Sequence, residues 1–447
     1  MFVKRGVELK LLEEQYASSG SNLVILYGRK GLGKTTLLNE FMEGKTSFYY
    51  EGVECVDRLQ RLRMIRQWNK TSTTQDLTNI VSSLIKEQEQ KAVLIFDEFH
   101  YIIKNDPAFA RALLHISNDT KQVMLILCSS SIRWVENEMI SSLGDLAASI
   151  TAYRKLKEFT FVDFVNRFPK SSVEQCIYIN AILGGVPVYL NEWQEELSVL
   201  ENLQSILLDK DSRLFWETQQ FLKQELREPA VYNTILSALA QGNRKLNDIY
   251  EMTGFSRAKI SVYLKHLIQL DLVEKLVPIG EEGKENVKKG LYRIRDNFFS
   301  FWYRFIFPNL SELMLGHADD IYQTKIEPFL DEYIQEYFAD VCSEFLKLMN
   351  LHQRLPEQYV WWDRWYGKKG TIDIMAQGQN GRNLVAMCLW EERQAEVEDY
   401  ERLISLSTEA GFPSEYLYLF SKNGFTQTLF NQSKTQDKIK LIRLEDL

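Results

Sequence analysis

Gly28-Arg29-Lys30-Gly31-Leu32-Gly33-Lys34-Thr35 decides the reading of this 447-residue chain. The apolar run Asn22–Tyr27 leads directly into it, and Thr36–Met42, with helical character, follows. Strand, loop and helix in that order, with G-x-x-x-x-G-K-[ST] spacing, describe a phosphate-binding loop. Its glycines let backbone N–H groups approach phosphate oxygens, and the helix N-terminus adds its positive dipole end. Gly28 through Thr36 are therefore the candidate cradle for ATP or ADP. Lys34 would reach the β- and γ-phosphates, and Thr35 would offer its hydroxyl to Mg²⁺.

Such a site needs a second strand carrying a metal-binding acid, and Ala92-Val93-Leu94-Ile95-Phe96-Asp97-Glu98 supplies one. Five apolar residues running into two carboxylates suit a strand buried on both faces of a parallel sheet, which delivers Asp97 to the carboxyl end beside the phosphates. Asp97 is the candidate Mg²⁺ holder. Glu98 is the candidate catalytic group that orients the attacking water, which favours hydrolysis over transfer to another acceptor. A third strand, Val123–Leu127, ends in Cys128-Ser129-Ser130-Ser131. A hydroxyl there is either a turn former or helix cap, or a sensor of the γ-phosphate or the lytic water.

Composition narrows the class. The chain is 45% hydrophobic and 26% charged, enough apolar residue for two to four domains with real cores. Its longest apolar stretches fall far below the roughly 20 residues that cross a bilayer, so the expectation is a soluble, cytoplasmic protein with no membrane partner. Five cysteines, Cys55, Cys128, Cys176, Cys342 and Cys388, lie scattered without paired metal spacing and read as reduced thiols. The formal charge of −8 disfavours a chain coated in nucleic acid, though a whole-chain average can hide a basic face.

Together, the phosphate loop, Ile95-Phe96-Asp97-Glu98-Phe99-His100-Tyr101 and the Ser130 strand resemble the AAA+-related signal-transduction ATPases. The resemblance is to the bacterial and archaeal family of this group with a nuclease-like C-terminal region. Phe2-Val3-Lys4-Arg5-Gly6-Val7-Glu8-Leu9 is similar to that family's N-terminal element beside the nucleotide base and ribose. Gly184-Gly185-Val186-Pro187 is similar to the G-G-x-P motif of its helical lid. The resemblance implies that Arg5 and Pro187 are adenosine-side contacts and that Ser130 is the first sensor. Read without it, Gly184–Pro187 is a turn between helices and Arg5/Glu8 an exposed pair at helical spacing. One departure is the arginine that neutralises charge on the transferring phosphoryl group. Leu143-Gly144-Asp145-Leu146-Ala147 has none, which leaves Arg133 and Arg154 as candidates and points to slow or partner-dependent hydrolysis.

Glu158–Glu228 is patterned as helices and suits the lid. After Pro229 come three helical stretches, Val231–Ala240, Leu246–Met252 and Ser256–Leu270, with Gly254 before the last. Leu272–Val277 and Leu291–Ile294 then flank a charged turn. This is a winged helix. Residues 229–309 carry twelve Lys and Arg against eight Asp and Glu, so the sign of the charge reverses locally. Arg257, Lys259 and Lys265 on the third helix are candidate DNA contacts; packing against the ATPase is the other use of such a module.

Residues 312–344 carry nine acids and one lysine and read as solvated helices with an apolar seam. Helix, three strands, helix and strand follow, an order resembling the restriction-endonuclease-like fold of the family. That chemistry needs two carboxylates for Mg²⁺ and a lysine. Asp373 keeps the first carboxylate, but Met387-Cys388-Leu389-Trp390 replaces the Glu and Lys. The domain therefore reads as a degenerate nuclease, with Asp340, Glu391 and Glu392 as the residues that could rescue activity.

The expected fold class is α/β: an AAA+-like parallel sheet with phosphate loop (1–157), a helical lid (158–228), an all-α winged helix with β-wing (229–309) and an endonuclease-like α/β domain (310–447). The expected function is an ATP-binding, ATP-hydrolysing switch using ATP and Mg²⁺, with DNA, a protein partner or a second copy of the chain as its target. The alternatives are a nucleotide-bound scaffold without turnover and an ATP-gated nuclease. The acidic segment 312–344 is further expected to compete with DNA for the winged helix.

Overall fold

The computed structural model describes residues 5–68, 85, 90–104, 106–119, 123–276 and 290–447. It divides into two compact units, one of Phe2–Glu158 with Val186–Val188, the other of Phe159–Gly185 and Tyr189–Leu447.

The first unit is built on five parallel strands: β1 (Asn22–Tyr27), β2 (Ser47–Glu51), β3 (Ala92–Asp97), β4 (Val123–Ser129) and β5 (Ile150–Lys155), in the order β2-β3-β4-β1-β5. The three central strands are almost wholly buried. Continuous Val/Ile/Leu runs are what a sheet covered on both faces requires, and each such side chain contributes about 1.5–3 kcal/mol on burial. Helices α1 (Gly6–Ala17), α2 (Lys34–Met42), α3 (Asp57–Trp68) and α4 (Pro107–Asp119) accompany the sheet. Phe96, Phe99, Leu113 and Trp134 join the strands in its core. The order places β4 between the phosphate-loop strand and the Asp97 strand, so three strand ends meet at one edge. Residues 277–289, most of the expected charged turn, lie outside the described residues.

The second unit opens with lid-region helices, among them α5 (Val173–Leu183), started by a capping box of Ser172 and Gln175. The winged helix comprises α6 (Pro229–Ala240), α7 (Leu246–Thr253), α8 (Arg257–Gln269) and the antiparallel pair β6 (Val273–Leu276) and β7 (Leu291–Ile294). Gly254 ends α7 in the left-handed region, and the Ser256 hydroxyl accepts from Lys259 N at 3.3 Å to start α8.

Beyond it, the 25-residue helix α9 (Glu327–Leu351) buries Leu330, Ile334, Tyr337, Phe338 and Val341, an apolar stripe at three- and four-residue spacing. It leads into a mixed sheet of β8 (Tyr359–Tyr366), β9 (Thr371–Gly378), β10 (Leu384–Leu389), β11 (Tyr416–Ser421) and β12 (Ile439–Arg443), ordered β12-β11-β10-β9-β8. β8, β9 and β10 run antiparallel; β10, β11 and β12 run parallel. Helices α10 (Val397–Glu409) and α11 (Gln427–Thr435) provide the crossovers. The expected order is present, with one more strand: β12 extends the sheet past the expected last one.

Candidate functional site

The phosphate loop has the backbone its glycines permit. Gly28, Gly31 and Gly33 have φ of 150°, 88° and 83°. A Cβ on Gly28 would lie 2.7 Å from Leu156 O, and one on Gly31 would lie 2.7 Å from Val188 Cγ1. The loop is closed from outside as well. Val188 N donates to Gly31 O at 3.3 Å, so the segment containing Pro187 packs directly on it. The Arg5 guanidinium donates to Leu32 O at 2.8 Å and Lys157 O at 2.9 Å, joining the loop to the residue two past β5. Leu32 and Arg29 are buried; Lys30, Thr35 and Thr36 are exposed.

Lys34, at the first position of α2, is only 6% exposed. Its Nζ donates to the carbonyls of Gly28 at 2.7 Å and Arg29 at 3.1 Å, curling the ammonium over the loop that it would otherwise share with phosphate. The Thr35 hydroxyl donates to Asp97 Oδ2 at 3.1 Å, bringing together two residues 62 positions apart. Asp97 Oδ1 accepts from Glu98 N at 2.9 Å. Glu98 has left the strand with φ of 48°, a conformation uncommon outside glycine. That turn sends its carboxylate across to β4, where Oε2 accepts from Ser130 N at 2.9 Å and Ser130 Oγ at 2.8 Å. Burial raises the Glu98 carboxyl above its ordinary value, and the Ser130 bonds and Lys34 oppose that rise.

Two participants, Tyr49 and His100, lie outside the motifs. The Tyr49 hydroxyl on β2 donates to Asp97 Oδ2 at 2.8 Å. His100 Nδ1 lies 2.9 Å from Ser129 Oγ and 3.4 Å from Glu98 Oε2. Burial, with the nearby Lys104 and Lys34, pushes this imidazole down to about 4, so it is neutral at pH 7. His100 follows the acidic pair closely in sequence, a position that signals proximity to the site. Tyr49 sits on a short edge strand with no motif. The two arginines considered for charge neutralisation differ: Arg154 pairs with Glu8 at 2.8 Å, whereas Arg133 is solvent-exposed.

In the second unit, α8 presents Arg257, Lys259, Ser261, Val262 and Lys265 to solvent. Arg257 lies 4.2 Å from the Tyr250 ring centroid, and Lys259 lies 4.7 Å from that of Phe255. The acidic segment engages other cations than these. Its Glu336 pairs with Arg244 at 2.5 Å, and Asp340 pairs with Arg293 of β7 at 3.2 Å and with Arg364 of β8 at 3.0 Å. Those acids are thus partners of wing-side arginines rather than merely solvated. Burial alone would raise the Asp340 carboxyl, but Arg293 and Arg364 overcome it and hold the group below its ordinary value.

Asp373 lines a cavity of about 600 Å³ together with Arg364, Glu336, Cys388 and Arg402. Its Oδ2 accepts from Cys388 N at 2.8 Å, and burial pushes its carboxyl up to about 6. Glu392 is taken by Lys422 at 2.6 Å and Glu391 by Arg393 at 2.7 Å. Among the described residues, no group of three or more His, Cys, Asp or Glu is arranged to hold a metal ion. None of their helices is long and apolar enough to cross a membrane.

Three family models match successive parts of the chain. Residues 2–193 match an ATPase domain predominantly from Archaea, residues 233–275 the bacterial regulatory proteins of the arsR family, and residues 302–400 archaeal and bacterial proteins of unknown function. An uncharacterized protein of Methanocaldococcus jannaschii is 33% identical over 387 residues, 86% of this chain and 85% of its own. An uncharacterized ATP-binding protein of the same organism is 49% identical over 45 residues, 10% of this chain and 76% of its own. Among solved structures, a Walker-type ATPase of Pyrococcus abyssi superposes with a TM-score of 0.50 at 15% identity, covering 68% of this chain and 96% of that one, a likeness of fold. With its phosphate loop, winged helix and C-terminal α/β domain in that order, and a relative matching along most of its length, the chain belongs to the family of archaeal and bacterial AAA+-related ATPases that share this three-part architecture.

Proposed function

We propose that this protein is a cytoplasmic, ATP-hydrolysing molecular switch whose nucleotide state governs a DNA-binding winged helix and a nuclease-like domain without nuclease chemistry. The observation that carries the reading is the 3.1 Å bond between the Thr35 hydroxyl and Asp97 Oδ2. A hydroxyl from the phosphate-loop helix and a carboxylate from a separate strand come together as the two oxygen ligands that would hold the Mg²⁺ of a bound nucleotide. That donor set, all hard oxygen, fits the ion.

Backbone N–H groups of Gly28–Thr36 bind the phosphates, and Lys34 exchanges its two carbonyl partners for β- and γ-oxygens. Mg²⁺, once bound, supplies charge neutralisation for the leaving and transferring groups. Thr35 and Asp97 would hold it. Glu98 orients water, which requires its carboxylate to leave Ser130; a γ-phosphate that engages Ser130 would release it. Arg5 and Pro187 are assigned to the adenosine side, supported by the contacts of Arg5 and of the Pro187 segment with the loop. A cation from a partner protein or a second copy of the chain completes charge neutralisation. This fits slow basal turnover, because Arg154 is already paired with Glu8.

Downstream, Arg257, Lys259 and Lys265 contact DNA phosphates. The C-terminal sheet serves as a restriction-endonuclease-like binding module: Asp373 lacks a second carboxylate, and each potential substitute, Asp340, Glu391 or Glu392, is paired with a cation. ATP turnover measured for the full chain, Lys34→Ala and Glu98→Gln tests the reading. Loss of nucleotide binding in the first variant and retention of bound ATP without turnover in the second are expected. Turnover persisting in Lys34→Ala would overturn the site. Nucleotide held without hydrolysis by the unaltered chain and by its mixtures with DNA would favour the scaffold alternative.

A further inference from the structure

We propose that Tyr49 is a positioning residue for the metal-binding carboxylate, holding Asp97 toward Thr35 so that a divalent cation arriving with nucleotide meets a preset ligand. This rests on the ATP–Mg²⁺ reading of the site and adds to it a residue outside its motifs.

A carboxylate at a strand end can turn about two side-chain bonds, and only its hydrogen bonds fix it. Three N–H and O–H donors hold Asp97. Oδ1 accepts from Glu98 N at 2.9 Å, while Oδ2 accepts from Tyr49 at 2.8 Å and Thr35 at 3.1 Å. These donors are not equivalent once a cation is present. Thr35 must also turn a lone pair toward the ion, so the direction of its donation is set by the ion as well as by Asp97. The Tyr49 phenol ligates nothing and can keep donating. Its hold on Oδ2 is independent of the ion and stronger than that of the buried Cys128 thiol, a weak donor also bonded to Asp97, and it opposes rotation of the carboxylate away from the loop.

The backbone is arranged to keep Tyr49 in place. In the β2–β3 register it stands opposite Ile95, two residues before Asp97, so the ring spans the distance along the sheet. Its carbonyl accepts from Gln67 Nε2 at 2.7 Å and Trp68 Nε1 at 3.1 Å, both from α3, which anchors a strand that among the described residues pairs with β3 alone. A phenol, with an ordinary value of about 10, is protonated and able to donate at neutral pH.

Tyr49→Phe removes one oxygen and keeps the ring. A fluorescent ATP analogue is titrated into the full-length chain in EDTA and across a Mg²⁺ series, and ATP turnover is followed over the same series. A hydrogen bond to a charged group controls an equilibrium by about tenfold or more, so the Mg²⁺ concentration giving half-maximal tightening of the analogue should rise about tenfold in Tyr49→Phe. Turnover at saturating Mg²⁺ should return toward the unaltered value. Asp97→Asn supplies the reference for an absent metal ligand. An unchanged Mg²⁺ requirement in Tyr49→Phe overturns the proposal, as does a turnover lowered equally at every Mg²⁺ concentration, which is what a purely structural tyrosine would give. Failure of the unaltered chain to bind the analogue at all would instead bring down the ATP reading, and this proposal with it.

Discussion

Asp373→Asn should stabilise the C-terminal domain, and only at a pH where Asp373 is ionised. Burial lifts this carboxyl from 3.8 to about 6, with Arg364 and the Cys388 N–H opposing the rise without cancelling it. Arg364 is already bound to Asp340 at 3.0 Å and gives Asp373 no ion pair of its own; its Nε donates to the backbone carbonyl of Asp373 at 3.1 Å. A folded-state value above the unfolded one means that the folded protein holds the proton longer. Stability therefore falls as pH rises from about 4 to about 6, and the full cost is present above that window. Two pH units at about 1.4 kcal/mol each set a ceiling of about 3 kcal/mol. The asparagine carbonyl can still accept from Cys388 N, so about 1–3 kcal/mol of stabilisation is expected at pH 7.5 and almost none at pH 4. Urea unfolding of both proteins at the two pH values reads this directly. A destabilised Asp373→Asn at pH 7.5, or the same difference at both pH values, would refute the reasoning. Confirmation would mark Asp373 as a residue kept at a cost to the fold, as expected of a site residue rather than a packing residue.

Two further outcomes follow from the second unit. Arg257→Ala with Lys259→Ala should weaken DNA binding uniformly across sequences and lower the slope of log affinity against log salt by about 1 for each phosphate left unneutralised; an unchanged slope would remove α8 from the interface. Asp340→Ala leaves Arg293 and Arg364 short of a counter-charge. The Asp340 side chain is 37% exposed, so the usual 3–5 kcal/mol for breaking a buried pair is discounted to about 2–4 kcal/mol, measurable by chemical denaturation at pH 7. Because the Asp340 carboxyl is held low, its contribution is present at neutral pH and disappears as pH falls through its folded value, so the two proteins should converge in acid.

The elements most legible in the sequence were those whose signal is local. Gly28–Thr35 fixes its own backbone through glycine positions, and β1, β3 and β4 announce themselves because double-sided burial demands unbroken apolar runs. The winged helix could be read from Gly254 and Ser256, residues with positional meaning at helix ends. What escaped depends on pairing across the chain. Tyr49 reaches Asp97 only because β2 lies beside β3, and no pattern around Tyr49 states that. β12 was missed because Ile439-Lys440-Leu441-Ile442-Arg443 is short and interrupted by charge, and takes its place by parallel pairing with β11. The acids of α9 show helical spacing and high charge, which reads as a solvated face. Their engagement with Arg244, Arg293 and Arg364 could not be seen before the wing and β8 were placed against them.

Those pairings bear on how the winged helix behaves when cut free. Residues 229–309 carry a net charge of +4, yet in the intact chain Arg244 and Arg293 are answered by Glu336 and Asp340 from beyond residue 309. A fragment ending there would strip Arg244 of Glu336 and leave Arg293 with Glu274 of the paired strand but without Glu336 and Asp340. It should hold any polyanion more tightly, with a steeper salt dependence and less discrimination, than the protein from which it was taken. Affinity gained on excision would then measure the missing acids, and the selectivity of the winged helix would belong to the module and its acidic neighbour together.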